Sequence, residues 1–159
     1  MTAIRLDGEV LAAQIKGELR ERVEALAEAG VTPVLGTILV GDDGPSTNYV
    51  SMKHRDCAEI GIASVHEHLP SSATQDDVLE VIRQFNEDPL IDAYLAQYPF
   101  PPGLDYESAL LTVDPAKDVD GLHPVNLGLL VMGVDAPLPC TPHGIQVLLE
   151  HHDVPIAGA

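Results

Sequence analysis

The chain has 159 residues, 45% of them apolar, which is enough to bury one hydrophobic core and makes a single domain the expectation. Eight Lys and Arg against 25 Asp and Glu give a formal charge of -17, the wrong sign for gripping nucleic acid or an anionic membrane surface. Apolar runs fall short of the roughly 18 residues needed to cross a bilayer, and the two cysteines, Cys57 and Cys140, form no Cys-x-x-Cys pair. A soluble protein of the reducing cytoplasm, with no nucleic-acid or membrane partner, is therefore expected.

In chain order, Asp7 caps a first helix in which Leu11, Ile15, Leu19, Val23 and Leu26 recur at three- and four-residue steps up to Gly30. The apolar run from Pro33 to Val40 is too short for a helix and reads as a parallel strand covered on both faces. A turn over Gly41–Pro45 leads to a helix from Ser46 to Ile60, which Gly61 stops. Ala63–Leu69 reads as a strand. Thr74, with Asp77 three residues on, caps a helix that points Val78, Val81, Ile82 and Phe85 inward until Asp88-Pro89. The next strand runs from Ile91 to Gln97 and is halted by Pro99, Pro101 and Pro102. Short helices follow over Asp105–Leu111 and from an Asn126 cap to Met132. A last one is capped by Thr141, with Pro142 in its first turn, and reaches His151. From Ile156 another strand is expected to begin. This order predicts an α/β fold of three layers, helix on sheet on helix, around a small, mainly parallel sheet.

The densest concentration of special residue types lies between Lys117 and Gly144: Lys117-Asp118-Val119-Asp120-Gly121-Leu122-His123-Pro124, then Asn126 and Gly128, then Pro139-Cys140-Thr141-Pro142. No amphipathic pattern requires such a run, which points to a binding site. In open α/β sheets ligands bind beyond the carboxyl ends of the strands, so the loops after Val40 and Gln97 are expected to face one cleft. Tyr49 and Lys53, four apart on a helix, share one face. Residue by residue, blander readings stand beside these: Tyr49 as helix-edge packing, Lys53 in water, Asp118 and Asp120 as turn caps, Gln97 as an exposed amide. His66 and His68 share a strand face, but no third ligand stands at a recognisable spacing, so no metal site is expected. Gly41–Gly44 lacks the spacing of a nucleotide phosphate loop.

Taken together, Leu6-Asp7-Gly8, Ile38-Leu39-Val40-Gly41-Asp42-Asp43, Tyr49-Val50 with Lys53, Gln97 with Pro99 and Pro101, Lys117-Asp118-Val119-Asp120-Gly121 and Pro139-Cys140-Thr141-Pro142 resemble the methylenetetrahydrofolate dehydrogenase/cyclohydrolase family of folate one-carbon metabolism. The resemblance implies that residues 1–155 are the folate-binding catalytic domain and 156–159 the start of an NAD(P)-binding domain missing from this chain. It also implies that Lys53 is the catalytic lysine, Gln97 the glutamine that contacts it, Asp120 the aspartate that holds the pterin, and Tyr49 the tyrosine lining the folate pocket. Lys53, Gln97 and Asp120 are thus the expected catalytic residues, and all four are expected to bind substrate.

The family oxidises methylenetetrahydrofolate to the methenyl form with NADP, then hydrolyses that to 10-formyltetrahydrofolate. It is expected to use tetrahydrofolate derivatives as partners, to form a homodimer and to hold NADP outside this chain, which alone binds no cofactor. At most cyclohydrolase activity is expected of the chain by itself. The alternative is a non-catalytic folate-binding or interaction module. Tyr98 and Phe100, which stand where smaller aliphatic residues are usual, are expected to crowd the pocket rim, and Leu129 stands where an arginine is typical.

Overall fold

The computed structural model describes residues 4–158, arranged as six helices and three strands. Helix α1 (Gly8–Glu28) starts where the Asp7 carboxylate accepts hydrogen bonds from the Glu9 and Val10 amides. Of its expected apolar stripe only Leu11 and Val23 are buried, while Ile15 and Leu26 stay exposed. Lys16 fastens the helix laterally, donating to Asp56 at 2.7 Å and Glu59 at 3.0 Å on α2 (Gly44–Ile60); those two carboxylates hold its ammonium above the usual lysine range.

The central strand is β1 (Val34–Val40), flanked in parallel by β2 (Ala63–Leu69) and β3 (Ala93–Ala96), so the sheet order is β2-β1-β3. Both faces of β1 are covered, as its unbroken apolar run predicts. Gly36, Ile38 and Val40 face α3 (Gln75–Glu87) and the short helix α4 (Tyr106–Thr112), joining Val78, Ile82, Phe85, Tyr94, Ala109 and Val113 in the core. Thr37 faces the other way, onto α2, where its fully buried hydroxyl shares hydrogen bonds with His54 at 2.8 Å and His66 at 2.9 Å. Helices on both faces of one sheet complete the expected three layers. Gly36 is needed here because a Cβ would lie 2.8 Å from that of Tyr94 and 2.9 Å from the Phe85 ring.

Several boundaries differ from the sequence reading. Helix α2 begins two residues earlier, at Gly44, because Asp43 caps it by accepting from both the amide and the hydroxyl of Ser46. Strand β3 is shorter than expected: Ile91 is buried outside it, and Gln97 lies just beyond its end. In α5 (Pro124–Val131) the cap is His123, whose ring accepts from the Val125 amide, whereas Asn126 is spent inside the fold on Asp118. Helix α6 (Cys140–His151) starts at Cys140 with no side-chain cap, so Thr141 does not cap it. No strand forms among the described residues after Ile156, and residue 159 lies outside them.

Ile82 touches the sheet from the middle of α3 and has no exposed surface. Its truncation in Ile82→Ala is expected to cost about 2–5 kcal/mol, through lost burial and the cavity left behind. Urea unfolding of the two chains reads this as a lowered midpoint at unchanged slope.

Candidate active site

Helix α2 packs on β1 and β2 and leaves the β3 side of that sheet face uncovered. There an open cleft of about 580 Å³ runs between α2, the segment after β3, and the loops that precede α5 and α6. Leu35 and Leu95 form its floor. The cleft thus lies along the sheet face, not only beyond its carboxyl end. The loops after Val40 and Gln97 do face one depression, as expected, but the loop after Val40 does not line this larger cleft. Gly41, at φ +80°, donates to Leu69 O, and that loop instead lines a smaller depression with Ser71 and Pro99–Pro102.

All four residues singled out from sequence line the cleft: Tyr49, Lys53, Gln97 and Asp120. Their helical spacing puts Tyr49 and Lys53 on one wall. Lys53 Nζ donates to Gln97 Oε1 at 3.0 Å, and Gln97 Nε2 donates to Tyr98 O at 2.8 Å. Each end of the amide thus meets the group it can pair with, which sets its orientation and aims the lysine without adding charge. Asp120 comes from the loop before α5. Burial holds its carboxyl above the usual carboxylate range, with the Asp118 charge acting the same way, against the opposing pull of the Lys53 ammonium.

Sequence reasoning missed Tyr106, which lines the cleft from α4 and whose phenol is pushed up by burial and by the Asp120 and Asp118 charges. A lone tyrosine at the start of a short helix carries no pattern to flag it. Cys140 lines the opposite wall beside Pro139, Thr141 and Pro142. Its Sγ donates to Val119 O at 3.4 Å, and burial followed by the Asp120 charge raises the thiol, which leaves it a weak nucleophile. Tyr98 does stand at the rim, 63% exposed, with its ring edge-on to Tyr106. Phe100 is not at the rim: it packs on Tyr106 from the core side. Leu129 does not line the cleft.

Among the described residues no group of three His, Cys, Asp or Glu side chains could hold a metal ion, and no helix is long and apolar enough to cross a membrane. Among the described residues the only cation lining the cleft is Lys53, which is engaged with Gln97.

The raised carboxyl of Asp120 has a consequence for stability. In the unfolded chain an aspartate titrates near its ordinary value of 3.8, and in the fold it titrates higher. The stability Asp120 contributes is therefore fully present below the unfolded value and lost as pH rises through the folded one. Asp120→Asn is expected to melt at a higher temperature than the parent at neutral pH, with the gap closing on acidification. Thermal scans across that range check it.

Residues 6–120 match the family model described as tetrahydrofolate dehydrogenase/cyclohydrolase, catalytic domain. The bifunctional protein FolD of Syntrophotalea carbinolica is 51% identical over 158 residues, which is 99% of this chain and 54% of that protein. Among solved structures, the bifunctional FolD enzyme of Campylobacter jejuni superposes with a TM-score of 0.90 at 39% identity, over 94% of this chain and 53% of that one. The Trypanosoma brucei dehydrogenase-cyclohydrolase, solved with NADP cofactor and inhibitor, gives 0.94 at 33% identity over 99% and 55%. The chain spans about half the length of the curated relatives it matches. The family model, the sequence identity and the fold agree, and the chain belongs to the tetrahydrofolate dehydrogenase/cyclohydrolase family through its catalytic domain.

Proposed function

We propose that the cleft binds a reduced folate and that Lys53 handles the proton in hydrolysis of the methenyl form to 10-formyltetrahydrofolate. The observation that carries this reading is the Lys53–Gln97 hydrogen bond at 3.0 Å, in a cleft also walled by Tyr49 and Asp120. The Asp120 carboxylate accepts paired hydrogen bonds from the aminopyrimidine edge of a pterin. The exposed Tyr49 ring offers a flat surface to the aminobenzoyl part.

Water adds to the cationic bridging carbon and gives one proton to Lys53, leaving a neutral carbinolamine. A proton then reaches N5 as its bond to that carbon breaks, and the carbonyl of the formyl group forms with net release of one proton. Lys53, held by Gln97, serves as base in the first half and donor in the second. The dehydrogenase half, with NADP, belongs to the full-length enzyme. There the nucleotide is held outside the cleft described, in a homodimer of cytoplasmic one-carbon metabolism.

One observation favours a second reading, a folate-binding module without catalysis: the Tyr98 ring, packed on Tyr106, narrows the mouth of the cleft. Calorimetric titration of the chain with tetrahydrofolate, beside Asp120→Ala, tests the shared part of both readings. Binding by the parent that weakens by about tenfold or more in the variant, as expected for loss of a charge-assisted pair, supports the pocket. Equal binding by both chains removes Asp120 from it.

A further inference from the structure

We propose that Asp118 is a positioning residue: its buried carboxylate ties the start of α5 to the segment paired with β3, and so sets the turn that presents Asp120 to Lys53. This rests on the reading of Asp120 as the folate-contacting carboxylate, but its decisive test needs no ligand.

The turn is pinned on both sides. Before it, the Tyr94 amide donates to Lys117 O at 2.8 Å and the Val119 amide donates to Tyr94 O at 3.3 Å, so Asp118 bridges to β3 like one more strand residue. After it, one oxygen of Asp118, Oδ2, accepts from the His123 amide at 2.8 Å and from Asn126 Nδ2 at 3.0 Å. Asn126 Nδ2 also donates to Pro115 O at 2.9 Å, which closes a loop of contacts around the turn. Asp118 is only 4% exposed and Asn126 3%, and among the described residues no salt bridge reaches the aspartate.

A buried carboxylate without a cation is costly unless its donors are fixed. That cost makes the arrangement informative. A neutral side chain would close the same turn with less desolvation, whereas the charge also acts on Asp120, two residues away in the cleft. The groups facing Asp120 are Lys53 from α2, Cys140 from α6, Tyr106 from α4 and Asp118 from its own loop. Lys53 draws the Asp120 proton off, and Asp118 helps to retain it.

Position and charge separate in two variants. Asp118→Asn can present its amide oxygen where Oδ2 now accepts, keeping both hydrogen bonds and removing the charge. Asp118→Ala removes both. The whole chain, labelled with 13C at aspartate carboxyls and with Asp120 assigned through Asp120→Asn, is titrated by NMR while amide exchange is followed over residues 119–123. In Asp118→Asn the Asp120 midpoint is expected to fall, with amide protection near that of the parent. In Asp118→Ala protection over 119–123 is expected to drop by about tenfold or more, the scale of a lost buried hydrogen bond. An Asp120 midpoint unmoved in Asp118→Asn overturns the electrostatic part. Unchanged protection in a folded Asp118→Ala overturns the positioning part. Should Asp118→Ala not fold, Asn126→Ala, which removes one of the two donors, is followed in its place: the same loss of protection supports the positioning part, and unchanged protection overturns it. Failure of the parent to bind folate leaves all these readouts in place and counts against the proposed function alone.

Discussion

Replacing Lys53 by methionine is expected to lower hydrolysis of methenyltetrahydrofolate by the purified chain by a factor of about 100 to 10,000, the range set by loss of a positioned acid–base group. Methionine retains the length of the side chain and its packing against the cleft wall, so the fold should be preserved. The Lys53–Gln97 bond, not the shape of α2, is what disappears. Gln97→Ala is expected to fall between the parent and Lys53→Met, because the amine remains but is no longer aimed. Comparing initial rates with the buffer reaction decides the matter: neither parent nor Lys53→Met faster than buffer, with folate still bound, establishes the non-catalytic reading.

The second large effect concerns Gly121, which follows Asp120 directly. Its φ is +64°, a region in which an L side chain costs about 1–2 kcal/mol. A Cβ there would also stand 2.5 Å from the carbonyl carbon of Leu138 and 2.7 Å from the carbonyl oxygens of Leu138 and Pro137. These are backbone atoms of the segment leading into α6, so no rotamer change relieves the contact, and overpacking of this kind adds about 1–3 kcal/mol. Gly121→Ala is accordingly expected to lose about 2–5 kcal/mol and melt roughly 5–15 °C lower. It should also lose folate binding, since the loop that carries Asp120 and the segment leading into α6 can no longer meet. Gly128→Ala is the matched control. It sits in α5 with nothing within 4 Å of the added Cβ and is expected to leave stability equal or slightly higher. Equal melting of the Gly121 and Gly128 variants overturns the account of this turn.

Hydrophobic periodicity and punctuation carried much of the fold. Asp7 and Thr74 cap their helices as their sequence contexts require, the latter in a reciprocal pair with Asp77. Gly61 closes α2 in the left-handed region. Asn126 and Thr141 are the expected caps that fail; Asn126 has a different role available in the fold, and Ser46, where α2 is expected to begin, lies inside that helix. Asn126 is spent on Asp118, and Ser46 accommodates Asp43 and the Tyr98 carbonyl. Local preference sets out the partners a side chain can take, and the neighbours decide among them.

For the site, the chain by itself pointed to Tyr49, Lys53, Gln97 and Asp120, all of which line the cleft. The motifs around Lys53, Gln97 and Asp120 stand in the order that the resemblance requires, and helical spacing alone puts Tyr49 and Lys53 on one face. Only the tertiary structure decided that these motifs meet in one cleft along the sheet face, that Tyr106 joins them while Phe100 turns into the core, and that Asp118 is spent on holding the turn that carries Asp120. The physical reason is range. Helix faces and caps are set by neighbours three or four residues away. A hydrogen bond such as that from Lys53 to Gln97 depends instead on how α2 and β3 pack against the same central strand.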